Sequence, residues 1–196
     1  MYYRLTSLFF ITLFSLAQAN MIRPLLQISF EGGGDELVTI QHDYESDYTI
    51  DAGDGLTFEA GVAMDDPASN LEMQFLVGYK FDTDDADNGD ITWSTIPLSA
   101  LAFVKVEDFK FGGGITYHLS PELDGRFGRE EINHEFESAW GGVLQAQYSF
   151  EDTFAIGVKA TFIDYTLKGD NTQTANGNTI GIVGTFKFGG TRSRYR

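Results

Sequence analysis

The 196 residues carry a formal net charge of −16, which argues against a nucleic-acid partner, because a phosphate-binding surface needs clustered Lys and Arg. The length suits one domain, and a content of 42% hydrophobic and 14% aromatic residues argues against disorder of the whole chain. The chain has no cysteine, which excludes disulfides, thiolate metal sites, a cysteine nucleophile and a lipidated N-terminal cysteine.

The first 19 residues have the pattern of a secretory signal peptide. Arg4 supplies a short positive start, the apolar centre runs from Leu8 to Leu16, and Ala17-Gln18-Ala19 has the small residues of a cleavage site. The apolar run is much shorter than the roughly 20 residues that a membrane-spanning helix needs. We therefore predict that the chain is exported and that the mature protein begins at Asn20.

Eight segments of the mature chain alternate between apolar and polar residues, as β-strands with one apolar face do. They cover Pro24–Glu31, Leu56–Met64, Leu71–Phe81, Ile91–Val104, Phe109–Leu119, Trp140–Phe150, Phe154–Phe162 and Thr179–Phe188. Ile180, Ile182 and Phe186 share one face of the last segment. Pro97 interrupts the fourth segment, so we expect a β-bulge or a kink there.

The connections between these segments are alternately short and long. The short ones are Asp65–Asn70, Lys105–Asp108 and Glu151–Thr153, and the long ones are Gly32–Gly55, Asp82–Asp90, Ser120–Ser138 and Lys168–Asn178. In an up-and-down meander, this alternation places every tight turn at one end and every long loop at the other. Transmembrane β-barrels have that form.

The two faces of the segments also suit a barrel in a membrane. The apolar face carries rings that we expect to form two interfacial girdles. The ring set near the short turns is Phe103, Phe109, Phe150, Phe154 and Phe188, and the set near the long loops is Tyr79, Phe81, Trp93, Tyr117, Trp140 and Phe162. The opposite face carries charges of both signs, which we expect to pair inside the barrel. They are Glu31, Glu59, Glu72, Lys80, Lys110, Lys159 and Lys187.

The last segment ends on Phe186-Lys187-Phe188, an aromatic-x-aromatic pattern. Together with the export signal and the eight amphipathic segments, this ending resembles the small outer-membrane β-barrel proteins of Gram-negative bacteria, in particular the OmpA- and OmpW-like group. The chain departs from that group because it continues past the aromatic residue, from Gly189 to Arg196. The resemblance implies a signal peptide (1–19), an all-β, eight-stranded antiparallel up-and-down transmembrane β-barrel (20–188) and a short C-terminal tail (189–196).

The resemblance further implies a place in the outer membrane, contact with its lipid and lipopolysaccharide, insertion by the barrel-assembly machinery, a monomeric state and no cofactor. Eight strands leave an interior just wide enough for side chains to fill. We therefore expect a structural or surface-interaction role without a steady open pore. Two alternatives stay open, a barrel lipid hydrolase and a soluble periplasmic barrel of the lipocalin type. A lipocalin-like barrel would line its lumen with apolar groups, whereas here the large apolar side chains crowd the opposite face.

The third segment is followed by a stretch dense in carboxylates. Its acidic residues are Asp82, Asp84, Asp85, Asp87 and Asp90, which could hold Ca²⁺. The stretch fails the EF-hand spacing, because Ala86 stands at the third position counted from Asp84. We therefore interpret it as a solvated acidic loop, with these five residues as the alternative metal set.

His118-Leu119-Ser120, followed by Glu130, is similar to the His-x-Ser pair with a downstream Glu that some outer-membrane lipid A deacylases use. Such chemistry needs the imidazole, an orienting carboxylate and the hydroxyl within hydrogen-bond reach. By the strand register, however, His118 and Ser120 share the inward face with Lys110, where a membrane lipid would not reach them. We predict no hydrolase activity and keep His118, Ser120 and Glu130 as the alternative catalytic set.

Overall fold

A computed structural model describes residues 22–40, 48–66, 69–86, 89–127, 130–170 and 172–189. These residues form twelve strands: β1 (Ile22–Gly32), β2 (Glu36–Ile40), β3 (Tyr48–Asp51), β4 (Gly55–Asp66), β5 (Leu71–Ala86), β6 (Gly89–Val106), β7 (Phe109–Phe127), β8 (Glu130–Glu135), β9 (Ala139–Phe150), β10 (Phe154–Thr166), β11 (Thr174–Asn176) and β12 (Thr179–Lys187). The predicted signal peptide lies outside the described residues, as does the predicted tail apart from Gly189.

Eight of the strands close into one antiparallel barrel. Each pairs with the next in the order β1, β4, β5, β6, β7, β9, β10 and β12, and β12 pairs back onto β1 with Phe186 opposite Leu26. The other four extend one end of the barrel: β2 and β3 form a hairpin, β8 pairs with β7, and β11 pairs with β10. The prediction of an eight-stranded antiparallel barrel is confirmed. Within the described ranges, no helix is long and apolar enough to cross a membrane.

The apolar face of the barrel wall points outward. In β1, Leu26 and Phe30 are 50% and 61% exposed, whereas Gln27 and Glu31 are buried. The same alternation runs through the other barrel strands, because successive side chains of a strand point to opposite faces of the sheet. The wall is thus apolar outside and mostly polar inside, the reverse of a water-soluble barrel. The inward face also carries one apolar cluster, formed by Leu25, Ala63, Leu76, Leu101, Phe103 and Val143.

Inward glycines allow the wall to curve tightly. A Cβ atom at Gly61 would collide with the carbonyl oxygen of Phe75 on the neighbouring strand, and one at Gly181 would collide with that of Phe30. Glycine at such positions permits a close approach of neighbouring backbones, which sharp curvature requires.

The two ends of the barrel differ in construction. At the short-turn end, Asn70, Glu107 and Glu151 each adopt a left-handed backbone conformation, with φ of 54°, 56° and 58°, that closes a tight turn. At the long-loop end, strand pairing continues well past the predicted segments, since Asp85 of β5 pairs with Asp90 of β6. The predicted acidic loop is therefore mostly a continued β-hairpin, because backbone pairing does not require an apolar face.

A β-bulge lies close to the predicted position but on the other strand. Ser94 of β6 pairs with Glu122, whereas Ile96 pairs with Leu119, so two residues of β7 oppose one residue of β6. Ser120 has the left-handed φ of 47°, and Pro97 itself remains in register opposite His118. The extra residue reverses the faces of β7, so that odd-numbered residues point inward beyond it.

Candidate functional site

An ion-pair network fills the lumen near the short-turn end. Glu72, which is fully buried, accepts hydrogen bonds from Lys110 at 3.0 Å and from Lys187 at 2.7 Å. Lys105 lies 3.1 Å from the same carboxylate and also pairs with Asp65. Burying a charge is costly unless it is paired and hydrogen-bonded, and each of these groups has such a partner. We call this set, defined by Glu72, Asp65, Lys105, Lys110 and Lys187, the lower network.

A second network lies further toward the long-loop end. Lys159 bridges Glu31 at 3.0 Å and Glu59 at 3.5 Å, and Lys80 lies 3.8 Å from Glu31. Gln27 donates a hydrogen bond to Glu59 at 2.7 Å. All seven charged residues predicted to point inward are buried in these two networks, and that prediction is confirmed.

An apolar cluster, here called the mouth cluster, closes the long-loop end of the lumen. It consists of Ile50, Ala52, Ile91, Trp93, Leu123, Phe136, Ile163, Tyr165 and Ala175. The Trp93 ring meets those of Phe136 and Tyr165 edge-on, with centroids 5.3 and 5.4 Å apart. Ile50 and Ala52 come from the segment between β1 and β4 and are fully buried.

Hydrogen bonds hold that first long connection in the mouth. The Lys80 ammonium donates to the carbonyl oxygen of Gly53 at 2.5 Å, and the Ala52 amide donates to the carbonyl oxygen of Asp35 at 2.9 Å. The Asp35 amide in turn donates to the carbonyl oxygen of Asn176 at 2.7 Å. A lysine of the barrel wall and a neighbouring connection thus anchor the segment that covers the lumen.

Two rings predicted to lie in the girdles are instead inside the barrel. Trp93 is fully buried in the mouth cluster, and Phe103 is buried with the Lys110 ammonium 4.9 Å from its ring centroid. Both belong to the fourth segment, where they share the inward face of β6 with Ser99 and Thr95. The prediction that they lie in the girdles is wrong, because alternate residues of a strand share a face and this face points into the lumen.

Two of the alternative catalytic residues, His118 and Ser120, lie in different environments. His118 is buried in the lumen, where its Nδ1 lies 2.7 Å from the Tyr165 hydroxyl. Ser120 is exposed at the bulge, and its amide donates to the Ser138 hydroxyl at 3.3 Å. Glu130 pairs with Phe127 at the far end of the β7–β8 hairpin. Tyr165 was missed by the sequence prediction, although it has the same parity on β10 as the inward Lys159.

The alternative metal residues are spread along the β5–β6 hairpin. Asp82, Asp84 and Asp85 pair with Trp93, Ile91 and Asp90, and Asp87 lies outside the described residues. No group of three or more His, Cys, Asp or Glu that could hold a metal ion occurs in the described part of the chain.

The net charge of the chain is concentrated at the long-loop end. The four long connections (32–55, 82–90, 120–138 and 168–178) contain 19 of the 29 acidic residues and 3 of the 13 basic ones, a net charge of −16. The rest of the chain, with 10 acidic and 10 basic residues, is formally neutral. Burial raises the pKa of the Asp51 carboxyl, and the nearby carboxylates of Asp54 and Glu36 raise it further. The long-loop end is therefore an acidic surface.

Comparison with known proteins places the fold. No family model matches the chain, and no curated protein matches it. Among solved structures, the attachment invasion locus protein Ail of Yersinia pestis, in complex with the heparin analogue sucrose octasulfate, superposes with a TM-score of 0.54 at 7% identity, over 85% of this chain and 97% of Ail. Neisserial surface protein A superposes with a TM-score of 0.49 at 10% identity, over 87% of this chain and 98% of that one.

The eight-stranded wall is closed, and its exterior is apolar. Together with the likeness to Ail, these features show that the protein has the fold of the small transmembrane β-barrels of bacterial outer membranes. The lipocalin alternative fails, because a water-soluble barrel would not expose this apolar wall or bury two networks of charge.

Proposed function

We propose that this protein is a membrane-anchored surface-interaction protein, with a closed barrel that holds an acidic platform outside the cell. The single observation that carries the proposal is the mouth cluster. An apolar core seated in the end of the lumen, with Ile50 and Ala52 fully buried, favours a plug and a rigid platform over a channel entrance. Transmembrane barrels place their longer loops outside the cell, so the platform faces the surroundings.

The filled lumen supports an anchor without a steady pore. Eight strands leave room for side chains and little else, and here the lower network adds a salt-bridged layer beneath the plug. A steady current would require water-filled space through both layers. We therefore place the function on the long-loop surface and not in the lumen.

The geometry around His118 does not support the hydrolase alternative. Activation of a serine needs the imidazole within hydrogen-bond reach of the hydroxyl, whereas the Tyr165 hydroxyl occupies Nδ1 of His118. Ser120 lies exposed at the bulge and bonds through its amide to Ser138. We propose a non-enzymatic role on these grounds.

The sulfated sugar bound to Ail does not suit the surface described here. Sucrose octasulfate is a polyanion, and the four long connections of this chain carry a net charge of −16. Like charges repel, so we propose that the two proteins share a scaffold and differ in the charge of the partner. Outer-membrane lipid and lipopolysaccharide surround the wall in this proposal, and a monomer inserted by the barrel-assembly machinery is the working form.

Surface location and absence of hydrolysis can be tested in the same cells. Protease added to intact cells should cut the long-loop end and leave the embedded wall, and mass spectrometry should find lipid A with all its acyl chains. Loss of an acyl chain that is restored by Ser120→Ala would establish the hydrolase instead. N-terminal sequencing of the mature protein tests the predicted signal peptide, with Asn20 expected as the first residue.

A further inference from the structure

A cleft of about 570 Å³ opens at the long-loop end, beside the mouth cluster. Leu123, Phe136 and Leu167 supply apolar lining, and Asp35 and Glu36 stand at its acidic side. The exposed polar side chains of His134, Gln173 and Thr174 also line it. The cleft therefore combines an apolar floor with a charged rim on the surface that we place outside the cell.

The floor continues a well-packed core. Leu123 and Phe136 belong to the mouth cluster, and Leu37 and Leu167 are half-buried and pack against it. Because the mouth cluster already packs against these side chains, a ligand group entering the cleft would contact apolar surface without rearrangement of the core. Burial of apolar area against such a floor favours binding of an aliphatic or aromatic group.

The rim adds a requirement for positive charge. Asp35 and Glu36 are exposed, and they lie within a surface that holds the whole net charge of the chain. Lys168, a basic residue of the connection after β10, is paired with Glu135 at 2.7 Å. A cation approaching the cleft would thus be attracted by the field of many carboxylates, while an anion would be repelled.

We propose that this cleft binds a cationic peptide segment that carries an apolar side chain between its lysine or arginine residues. The apolar side chain would occupy the floor, and the basic groups would meet Asp35, Glu36 and the neighbouring carboxylates. An isolated metal ion fits less well, because the described residues provide no compact set of ligands for one. The inference rests on the proposed function, in that the cleft must face the outside of the cell.

The test uses the mature protein, refolded into nanodiscs of zwitterionic phospholipid, and empty nanodiscs as the reference for binding to lipid. The probe is a short fluorescent peptide of alternating Lys and Leu. One comparison peptide replaces Leu with Ser and another replaces Lys with Glu. We expect the Lys–Leu peptide to bind more tightly than both, and the binding to weaken from about 0.1 M to about 1 M salt, as the Debye length falls from about 10 Å to about 3 Å.

Variants locate the binding. Glu36→Gln should weaken it by about 2- to 5-fold, the size found for exposed charge pairs, and Glu36→Lys should weaken it further. Leu37→Ser should weaken it by about 3-fold or more through loss of apolar surface. The matched control is Glu151→Gln, which removes one exposed carboxylate at the short-turn end and should leave the affinity unchanged.

Three results would overturn the inference. They are no binding above that of the empty nanodiscs, equal affinity for the Lys–Leu peptide and the peptide with Glu in place of Lys, and equal affinity of Glu36→Lys and the original protein. Each variant is first checked for the gel shift between unboiled and boiled samples, and Glu36→Lys, being exposed, serves if Leu37→Ser fails to fold. Failure of the proposed function would give a different result. In that case, protease added to intact cells would not cut the long connections.

Discussion

The lower network and the mouth cluster are both buried cores of one barrel, yet their chemistry is opposite. Glu72 and its lysines fill the lumen within the wall, whereas Trp93, Phe136 and Tyr165 fill its mouth. Where the wall faces lipid, the apolar face of each strand is turned outward, so the polar face must be satisfied inside. Beyond the membrane the strands stand in water, and an ordinary apolar core becomes favourable again.

The largest expected effect comes from breaking the lower network. Glu72→Ala leaves Lys110 and Lys187 buried without their carboxylate, and removal of one partner from a buried ion pair typically costs about 3–5 kcal/mol. Urea unfolding of the refolded barrel in lipid vesicles measures this free energy. The control Glu107→Gln changes an exposed carboxylate in a short turn. A change below about 1 kcal/mol for Glu72→Ala would mean that the network is not structural.

Trp93→Ala tests the mouth cluster in the same way. Truncation of a buried tryptophan costs about 3–5 kcal/mol of local packing, and we expect the loss to stay at the long-loop end. Limited proteolysis should therefore cut the long connections faster, while the embedded wall keeps its gel shift. Trp140→Ala, at an exposed ring on the outer face, is the comparison. If Trp93→Ala abolished the gel shift, the two cores could not be regarded as separate.

Because the outer face of the wall is apolar, a charge placed there should destabilise the inserted barrel. Val77 is 51% exposed there, and Val77→Arg places a guanidinium in lipid at a cost of about 2–4 kcal/mol near the midplane. Thr174→Arg, at an exposed site of the long-loop end, should change the unfolding free energy by less than about 0.5 kcal/mol. Equal effects of the two substitutions on membrane insertion would argue that lipid does not contact the wall at Val77.

The smallest effect concerns repulsion within the acidic surface. Burial and neighbouring carboxylates raise the pKa of Asp51 in the folded protein, so its charged form opposes folding above that pKa. Asp51→Asn should therefore slow proteolysis of the long-loop end slightly at pH 7.5. The expected gain in the free energy of local unfolding is less than about 0.5 kcal/mol. The advantage should vanish as the pH falls below the ordinary pKa of Asp, where both side chains are neutral. An advantage that persisted in acid would point to a cause other than charge.

The comparison also explains what could be predicted from the sequence. The alternation of Leu26, Gln27, Ile28 and Ser29 is strict because lipid and lumen impose opposite demands on neighbouring residues, so the eight strands and their inward charges were predictable. At the long-loop end that demand disappears. Runs such as Asp82–Asp90 then look like loops although their backbones pair.

The candidate site was harder to predict for the same reason. The bulge at Ser120 and Pro121 reverses the inward face of β7, and no period of two carries across it. Consequently Leu123, on one side of the bulge, packs in the mouth cluster, and His118, on the other side, is buried in the lumen. The hydrogen bond between His118 and Tyr165 joins β7 and β10, which are distant in the chain. The sequence around either residue does not predict the other as its partner.

Buried ion-pair networks and the apolar mouth cluster together close the lumen of this membrane anchor. Conductance across a planar lipid bilayer measures this closure, with the mature protein inserted and the gel shift used to confirm folding. We predict no steady current for the original protein. A large and stable conductance would show that the lumen is open, because it would require a path through both the lower network and the mouth cluster.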